Sequence, residues 1–317
     1  MNDDRAALRP SAKTPMTHRK AVALMILVTL LWSTAGVVTR HLDSARSFEV
    51  TFWRSAFNAL ALAIAFTAMR GPAFWRQLVR SPWPVWVSGL CWSVMYTAFM
   101  VAITLTSVAN VLVTMAIGPL LTALMSRFVL GHRLAGRTWG AIGVAAAGIA
   151  WMFGNEAGAS SAGQLIGIAV AFCVPVAAAI NWTLLQHVHH GKAEQGNDMM
   201  SAVLIGALIS MLGVLPWATP FQASAHDLTL LALLGVFQLA VPCLLVVGVT
   251  RVLPGPEVSL LGLLEVILGV TWAWLFAGEH PSVATLVGGA LVIGALVVNE
   301  ALAMRAAVDE IAVSPIA

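Results

Sequence analysis

The chain has 317 residues, of which 59% are hydrophobic and 10% carry a charge. Soluble domains contain about 25% charged residues, and disordered chains are poor in apolar residues, so this composition excludes both classes. The chain is therefore predicted to be an integral membrane protein, and its mean hydropathy of +0.88 agrees with that class.

Ten apolar stretches follow one another along the chain. A membrane-spanning helix needs about 20 mostly apolar residues, and the intervals between charged residues supply them. The predicted spans are residues 21–38, 48–70, two within 81–126, 137–156, 162–186, 199–217, 227–251, 256–276 and 281–302. Residues 104–107, Thr-Leu-Thr-Ser, form the expected turn inside 81–126. The predicted fold class is an all-α membrane protein with ten transmembrane helices.

The distribution of positive charge predicts the orientation. Lys and Arg mark the cytoplasmic loops of membrane proteins. With the N-terminus inside, all but three of the 17 basic residues fall on the cytoplasmic side, the exceptions being Arg40, Arg46 and Arg54. Both termini are therefore expected in the cytoplasm. The formal net charge is +3. Because the basic residues on the cytoplasmic side face anionic lipid, no nucleic-acid partner is predicted.

A small, polar stretch at residues 154–162 divides the chain into two similar halves. Gly118 and Gly131 in the first half precede Glu265 and Gly278 in the second half by the same interval. The predicted domains are a disordered cytoplasmic tail at 1–19, a five-helix repeat at 20–153, the linker 154–162, a second five-helix repeat at 163–303, and a cytoplasmic tail at 304–317.

An odd number of spans in each repeat has a topological consequence. The second repeat must enter the membrane from the side opposite to the first, so the two repeats are inverted. Inverted repeats recur in secondary transporters, which bind their substrate near the midplane between the two halves. The sequence therefore predicts a central site between the repeats.

Short motifs in both halves agree with this interpretation. They are Leu30-Leu31-Trp32-Ser33, Phe52-Trp53-Arg54, Thr106-Ser107 through Pro119, Leu130-Gly131-His132-Arg133-Leu134, Leu264-Glu265 and Gly278-Glu279-His280. On these motifs the chain resembles the EamA-type members of the drug/metabolite transporter superfamily, over about residues 19–302. The resemblance implies two inverted five-helix repeats in a bacterial inner membrane and export or uptake of a small organic metabolite. Amino-acid exporters are the best known members.

The sequence departs from the family pattern at three points. Val266 stands where the family usually has Pro after the Glu, and His132 stands where the first repeat would carry the counterpart of Glu279. The first span also lacks the acidic residue that the small multidrug resistance branch carries there. The resemblance therefore does not imply a proton-driven drug antiport of that type.

Glu265 lies inside a predicted span, where an ionisable side chain costs about 2.5–3.5 kcal/mol on insertion scales. Gly262 and Gly269 share its helix face, so that face either meets another helix closely or borders a cavity. Three interpretations stay open: a proton site, an anchor for a substrate amine, or a carboxyl group that fixes helix packing.

Arg54 lies about two turns into the second span, with Asn58 one turn further on the same face. Its guanidinium would attract a substrate carboxylate or another anion into a pore. It would alternatively snorkel to the outer membrane interface, or pair with Glu265 across the two halves.

Aromatic and polar side chains deep in the predicted spans complete the candidate substrate site. They are Trp32, Tyr96, Asn181, Trp182, Gln238 and Trp272. Flat apolar walls with a few orienting polar groups are typical of small-molecule pockets, although each Trp would also suit helix packing or lipid contact. Other tryptophans are expected in the interfacial belt, namely Trp75, Trp83, Trp86, Trp139, Trp151 and Trp217.

Two prolines inside predicted spans are candidate gating hinges. Pro119 and Pro175 each free a backbone carbonyl and can kink their helices, although a static kink is the alternative.

No cofactor or metal site is predicted. The three cysteines, far apart in apolar runs, are interpreted as buried hydrophobic residues. His187, His189 and His190 are expected in a solvated loop, with a metal site as the alternative.

The sequence favours a carrier over an enzyme or a channel. It contains no His-Glu-x-x-His, no Gly-x-Ser-x-Gly and no Gly-rich phosphate loop, and no re-entrant filter is visible. The expected function is a secondary transporter that moves a small organic substrate, most simply an amino acid to be exported, with a coupling proton as a further candidate partner. The alternatives are an exporter of drugs or organic cations with Glu265 as counter-charge, and an intramembrane enzyme.

Overall fold

The protein is described by a computed structural model that covers residues 16–45, 47–131, 135–159, 162–190 and 198–313. Every regular element in these ranges is a helix. The first half contains α1 (His18–Trp32), α2 (Thr34–Thr39), α3 (Ser47–Arg70), α4 (Ala73–Val79), α5 (Trp83–Leu105), α6 (Val108–Met115), α7 (Gly118–Leu130) and α8 (Gly136–Ala159). The second half contains α9 (Ala162–His190), α10 (Met199–Ala218), α11 (Ala225–Leu233), α12 (Val241–Val249), α13 (Gly255–Ala277) and α14 (Val283–Val313).

The all-helical class predicted from the sequence is confirmed, but the count of ten membrane helices is not. Eight helical stretches are long and apolar enough to cross a bilayer: His18–Thr39, Phe48–Arg70, Trp83–Leu105, Val108–Val129, Ala162–Val188, Met199–Ala218, Ala225–Val249 and Glu257–Ala277. A ninth, Val283–Asn299 within α14, is apolar but shorter. Helix α8 occupies the fifth predicted span. Most of the predicted tail 1–19, residues 132–134 of one family motif and residues 160–161 of the predicted linker lie outside the described residues.

Three of the predicted spans are interrupted. The first breaks at Ser33 between α1 and α2, and the fourth breaks between Met115 and Gly118. The eighth changes from α-helix to a π-helical segment, Leu234–Ala240, between α11 and α12. Such π-helical segments occur frequently at functional sites, and all three interruptions lie beside the cavity described below.

The predicted turn between the third and fourth spans is present. Helix α5 ends at Leu105 and α6 begins at Val108. Ser107 caps α6, because its hydroxyl oxygen accepts a hydrogen bond from the Asn110 backbone N–H at 3.1 Å. The two spans can therefore reverse direction within two residues.

The two halves pack through equivalent helices. Helix α3 contacts α10 and α8 contacts α14, while the contact of α1 with α13 is matched by the contacts of α9 with α6 and α7. The α8–α14 crossing requires glycine, since a Cβ on Gly148 would lie 2.9 Å from the Gly288 carbonyl oxygen and a Cβ on Gly288 would lie 2.8 Å from that of Gly148. Corresponding helices of the two halves therefore contact each other, as a two-repeat layout requires.

Polar contacts between loops define two ends of the helical bundle. At one end, here called the Arg40 end, Arg40 pairs with Glu279 and donates a hydrogen bond to the Thr106 carbonyl oxygen. At the other, here called the Arg70 end, Arg70 pairs with Asp198.

The α8–α14 contact and the start of α9 place the linker and the last apolar helix relative to these ends. A Cβ on Gly167, near the start of α9, would lie within 3.0 Å of Thr106, so α9 begins at the Arg40 end. Thr138 at the start of α8 donates a hydrogen bond to Asn299, late in α14. Helix α8 therefore starts, and the apolar part of α14 finishes, at the end opposite to the linker.

The structure also tests several predictions about single residues. The six tryptophans assigned to the interfacial belt are all exposed. Two interpretations are wrong. Cys173 is exposed rather than buried, because it lies on the outer face of α9. His187 belongs to α9 and not to a loop, since that helix continues to His190. The side chains of His189 and His190 lie outside the described residues.

Candidate substrate-binding cavity

A cavity lies between the two halves, with walls from both. Its volume, taken as the space open to the centre of a water molecule, is about 130 Å³. One water needs about 10–15 Å³ on that measure. Eight of the sequence candidates line the cavity: Trp32, Arg54, Tyr96, Pro119, Pro175, Trp182, Gln238 and Glu265.

Arg54 lies in the cavity wall and is held by Gln238. Its Nε and Nη2 groups donate hydrogen bonds to the Gln238 Oε1 atom at 3.1 and 2.6 Å. The Gln238 Nε2 group donates in turn to the Trp32 carbonyl oxygen at 3.2 Å, where α1 ends. The Arg54 Nη1 atom is buried without a hydrogen-bond partner among the described residues. The guanidinium is thus oriented by the second half while one of its donors stays free.

The close approach of α3 to the π-helical segment explains this contact. A Cβ on Gly235 would lie 2.7 Å from the Arg54 carbonyl oxygen, so only glycine fits there. Gln238 follows on the same segment and reaches the Arg54 side chain. The proposed snorkelling of Arg54 to the membrane interface is therefore wrong, since only 2% of the residue is exposed.

Glu265 lies in the same cavity on α13. The sequence left open whether this helix face meets another helix or borders a cavity, and the structure shows that it does both. Gly262 borders the cavity with open space at its Cβ position, whereas Gly269 admits α6 closely, since a Cβ added there would lie 2.5 Å from the Leu112 side chain. Arg54 and Glu265 form no ion pair within 4 Å, a statement that covers the described residues. An unpaired cation and an unpaired carboxyl group therefore share one apolar chamber.

Aromatic rings form much of the remaining wall. Trp92 packs on Tyr96 with ring centroids 5.6 Å apart and meets Trp182 edge-on at 5.6 Å. Phe99 lies beneath the Arg54 guanidinium, with its ring centroid 5.8 Å from the central carbon. Sequence reasoning did not single out Trp92, although its spacing of four residues from Tyr96 places both on one helix face.

Three sequence candidates lie outside the cavity wall. Asn181 accepts a hydrogen bond from the Ser88 hydroxyl at 2.6 Å and so joins α9 to α5. The Trp272 indole donates to the Ser33 hydroxyl at 3.1 Å, at the break between α1 and α2. Asn58 is fully buried one turn beyond Arg54. The structure brings these side chains to helix contacts around the cavity rather than to its surface.

The two candidate hinges both line the cavity, on neighbouring helices. Helix α7 begins at Gly118, directly before Pro119, so this proline lies at a real helix break. Pro175 lies inside the continuous helix α9. A Cβ on Gly118 would lie 3.8 Å from the Pro175 ring.

A hydrogen-bonded network joins the two halves at the Arg40 end of the bundle. Glu279 pairs with Arg40 and also accepts a hydrogen bond from the Val108 backbone N–H at 2.9 Å. Arg40 donates to the Thr106 carbonyl oxygen at 2.8 Å. One carboxylate of the second half therefore ties together two segments of the first half.

Asp43, His226 and Asp227 at the same end have the side-chain spacing of a metal site. The carboxylate of Asp227 is already engaged, since it accepts hydrogen bonds from the backbone N–H groups of Asp43, Ser44 and Ala45 at 2.7–3.1 Å. These contacts join the loop before α3 to the start of α11. The cluster is therefore better explained as a tie between loops.

A family model described as the EamA-like transporter family matches the chain twice, at residues 19–154 and 165–300. The chain belongs to the EamA-like transporter family. It is thus a membrane transporter of the drug/metabolite transporter superfamily, as the sequence motifs predicted, and the two matches correspond to its two repeats. This EamA-like chain is also similar to a solved structure, described only as a crystal structure of a protein, with a TM-score of 0.62 and 22% sequence identity. That likeness covers 91% of this chain and 100% of the other, and it shows the shared fold. No curated protein matches this EamA-like chain.

Proposed function

We propose that this transporter carries a small zwitterionic metabolite, such as an amino acid, by alternating access through the central cavity. The observation that carries the proposal is the unpaired placement of Arg54 and Glu265 in one apolar chamber. A zwitterion supplies both counter-charges at once, whereas an empty apolar chamber leaves each charge without a partner, which is unfavourable.

Each end of the proposed substrate has a matching group. The free Nη1 donor of Arg54 would bind the substrate carboxylate, because a guanidinium forms strong charge-assisted hydrogen bonds with carboxylates. Glu265 would bind the ammonium group. The aromatic wall around Trp92, Tyr96 and Trp182 would contact an apolar side chain.

Alternating access needs a closure that can break. The network of Arg40, Glu279 and Thr106 joins the two halves at one end of the cavity, so we propose that it separates when the cavity opens towards that end. In the proposed orientation this is the outer face, both termini are cytoplasmic, ten helices cross a bacterial inner membrane, and the substrate is exported. The repeat boundaries proposed are 20–153 and 163–303, joined by 154–162.

An organic cation is a second candidate substrate, supported by a specific observation. Glu265 shares the cavity with aromatic rings, and cations bind favourably over the faces of Trp and Tyr. Arg54 opposes this alternative, because it places a positive charge in the same chamber. Discrimination between the two candidates therefore depends on the substrate carboxylate.

Transport assays with purified protein in liposomes test the proposal. We expect saturable uptake of one or more labelled amino acids from a panel, and stronger inhibition by zwitterions than by amines that lack a carboxylate. Comparison with and without a pH gradient then tests a coupling proton. Uptake of amines alone, with no competition by amino acids, would favour the organic-cation alternative.

A further inference from the structure

A polar recess at the Arg70 end shares no lining residue with the central cavity. It measures about 430 Å³ and is bordered by α4 and by the ends of α3 and α5. Three arginines line it, namely Arg70, Arg76 and Arg80, against one carboxylate, Asp198. The recess therefore carries an excess of positive charge.

The three arginines differ in how they are engaged. Arg70 pairs with Asp198, and its guanidinium also lies over the Phe66 ring at 5.0 Å and the Phe74 ring at 5.7 Å. Arg76 and Arg80 are exposed, and within the described part of the chain neither forms an ion pair. Two guanidinium groups, one helical turn apart, are thus available to a ligand next to a third that is fixed.

Helix α4 separates apolar and basic side chains in a way that suits a membrane surface. Phe74 and Leu78 are buried and anchor the helix to the bundle, with Phe74 5.0 Å from the Phe66 ring. Trp75 and Val79 are exposed on another face, although both are apolar. Amphipathic helices with this pattern lie in the plane of the membrane interface.

Exposed apolar residues beside the recess suit a position at the level of lipid headgroups. Met69 is 78% exposed and Trp83 is 69% exposed, at the adjoining ends of α3 and α5. The Trp75 indole donates a hydrogen bond to the Thr67 hydroxyl at 3.1 Å, which holds its ring against the last turn of α3. Tryptophans at such positions are typical of the boundary between hydrocarbon and headgroups.

We propose that this recess binds the phosphate of an anionic phospholipid, with Arg76 and Arg80 as the main ligands and Arg70 as a fixed support. Guanidinium groups bind phosphate oxygens through paired hydrogen bonds, and basic pockets at the ends of membrane helices bind acidic headgroups. A lipid fits better than a free phosphate ion, because the exposed apolar side chains beside the recess would contact its acyl chains. The site is independent of the transported substrate.

Native mass spectrometry of the purified full-length chain in detergent tests the site. Phosphatidylglycerol and phosphatidylcholine are added separately, and binding is measured for the unmodified protein and for the double variant Arg76→Gln/Arg80→Gln. We expect preferential binding of phosphatidylglycerol and at least a tenfold loss of its affinity in the double variant. Arg76→Lys/Arg80→Lys is expected to retain part of the affinity, since it keeps the charge but loses the paired hydrogen bonds.

A control with the same change in net charge separates a built site from general attraction. Arg19 and Arg251 are exposed basic residues that do not line the recess. The double variant Arg19→Gln/Arg251→Gln should bind phosphatidylglycerol as the unmodified protein does. An equal loss in both double variants would overturn the proposal, as would equal binding of the two lipids. If inorganic phosphate at millimolar concentration displaces phosphatidylglycerol, the recess binds a free anion and the lipid proposal is overturned. Melting temperatures of all variants confirm that they remain folded.

Discussion

The guanidinium of Arg54 in the first repeat donates two hydrogen bonds to one oxygen atom of Gln238 in the second, at 3.1 and 2.6 Å. Gln238 itself is anchored on the Trp32 carbonyl oxygen. This relationship holds a buried cation in a chosen orientation at the meeting point of the two repeats, and it leaves the Nη1 donor of Arg54 for a ligand.

Replacing Gln238 by Met tests the orienting role. The change keeps the side-chain length but removes the acceptor, so two buried N–H groups of Arg54 lose their partner, which costs about 1–3 kcal/mol. We expect the affinity for a carboxylate-bearing substrate to fall about 5- to 100-fold, measured by competition in liposome uptake. Leu239→Met is the matched control, since Leu239 lines the same cavity through apolar contact, and a swap of similar volume is well tolerated.

Glu265→Gln tests whether the carboxyl group carries a proton or only binds an amine. If Glu265 is a proton site, uptake by the variant should no longer respond to a pH gradient, because the amide does not titrate. If it binds only the substrate amine, the variant should lose affinity while the response to the gradient persists. Unchanged rate, affinity and pH response together would leave only a packing role for this side chain.

Glu279→Gln should weaken the closure at the Arg40 end. One hydrogen-bonded pair contributes about 1 kcal/mol, so we expect about a fivefold shift towards states open at that end. Cys243 lines the cavity and is buried, and it becomes the reporter in a background in which Cys91 and Cys173 are replaced by Ala. Its modification by an impermeant maleimide in right-side-out vesicles should become about fivefold faster.

The control for that experiment is a side-chain pair at the opposite end. Glu257 pairs with His18 at 2.9 Å, and Glu257→Gln should not accelerate modification of Cys243 from the Arg40 end. Equal acceleration by both variants would mean that the loss of any surface pair loosens the protein, and that the Arg40–Glu279 network has no special role in closure.

The close crossing of α8 and α14 predicts a difference between two glycines of one helix. Gly148→Ala should destabilise the protein by about 1–3 kcal/mol, because a methyl group there meets the Gly288 carbonyl oxygen at 2.9 Å. Gly143→Ala has open space around it and should be neutral or stabilising by up to about 1 kcal/mol. Denaturation midpoints in detergent compare the two variants. Similar effects would show that the crossing is looser than described.

The sequence was sufficient to predict the all-helical class, because long apolar runs between charges need no tertiary information. It was also sufficient for the turn at Ser107, since a side-chain cap is a local feature. The interruptions at Ser33 and in the π-helical segment were not predicted. They depend on neighbouring helices that satisfy the freed backbone groups, and the sequence of one span does not reveal those neighbours.

The candidate site was predicted only in part, because the contacts of its residues with other helices are not visible in the sequence of one span. Glu265 and Arg54 were identified by their charge, which is unusual at membrane depth. The burial of Arg54 depends on Gly235 in the other repeat, and a position near a helix start suggested the interface instead. Asn181 looked like a lining residue because it is polar, but its partner Ser88 belongs to the other repeat, 93 residues earlier in the chain. Trp92 could have been predicted, because its spacing of four residues from Tyr96 places both on one helix face.

The central claim is that Arg54 and Glu265 bind the two ends of one zwitterionic substrate between the repeats. Competition for liposome uptake by three compounds with one common side chain tests it most directly: the amino acid, the amine without its carboxylate, and the acid without its amine. The account predicts that the amino acid competes best, that Arg54→Gln removes its advantage over the amine, and that Glu265→Gln removes its advantage over the acid. If the three compounds compete equally in the unmodified protein, or if both variants keep its order of preference, the claim is contradicted.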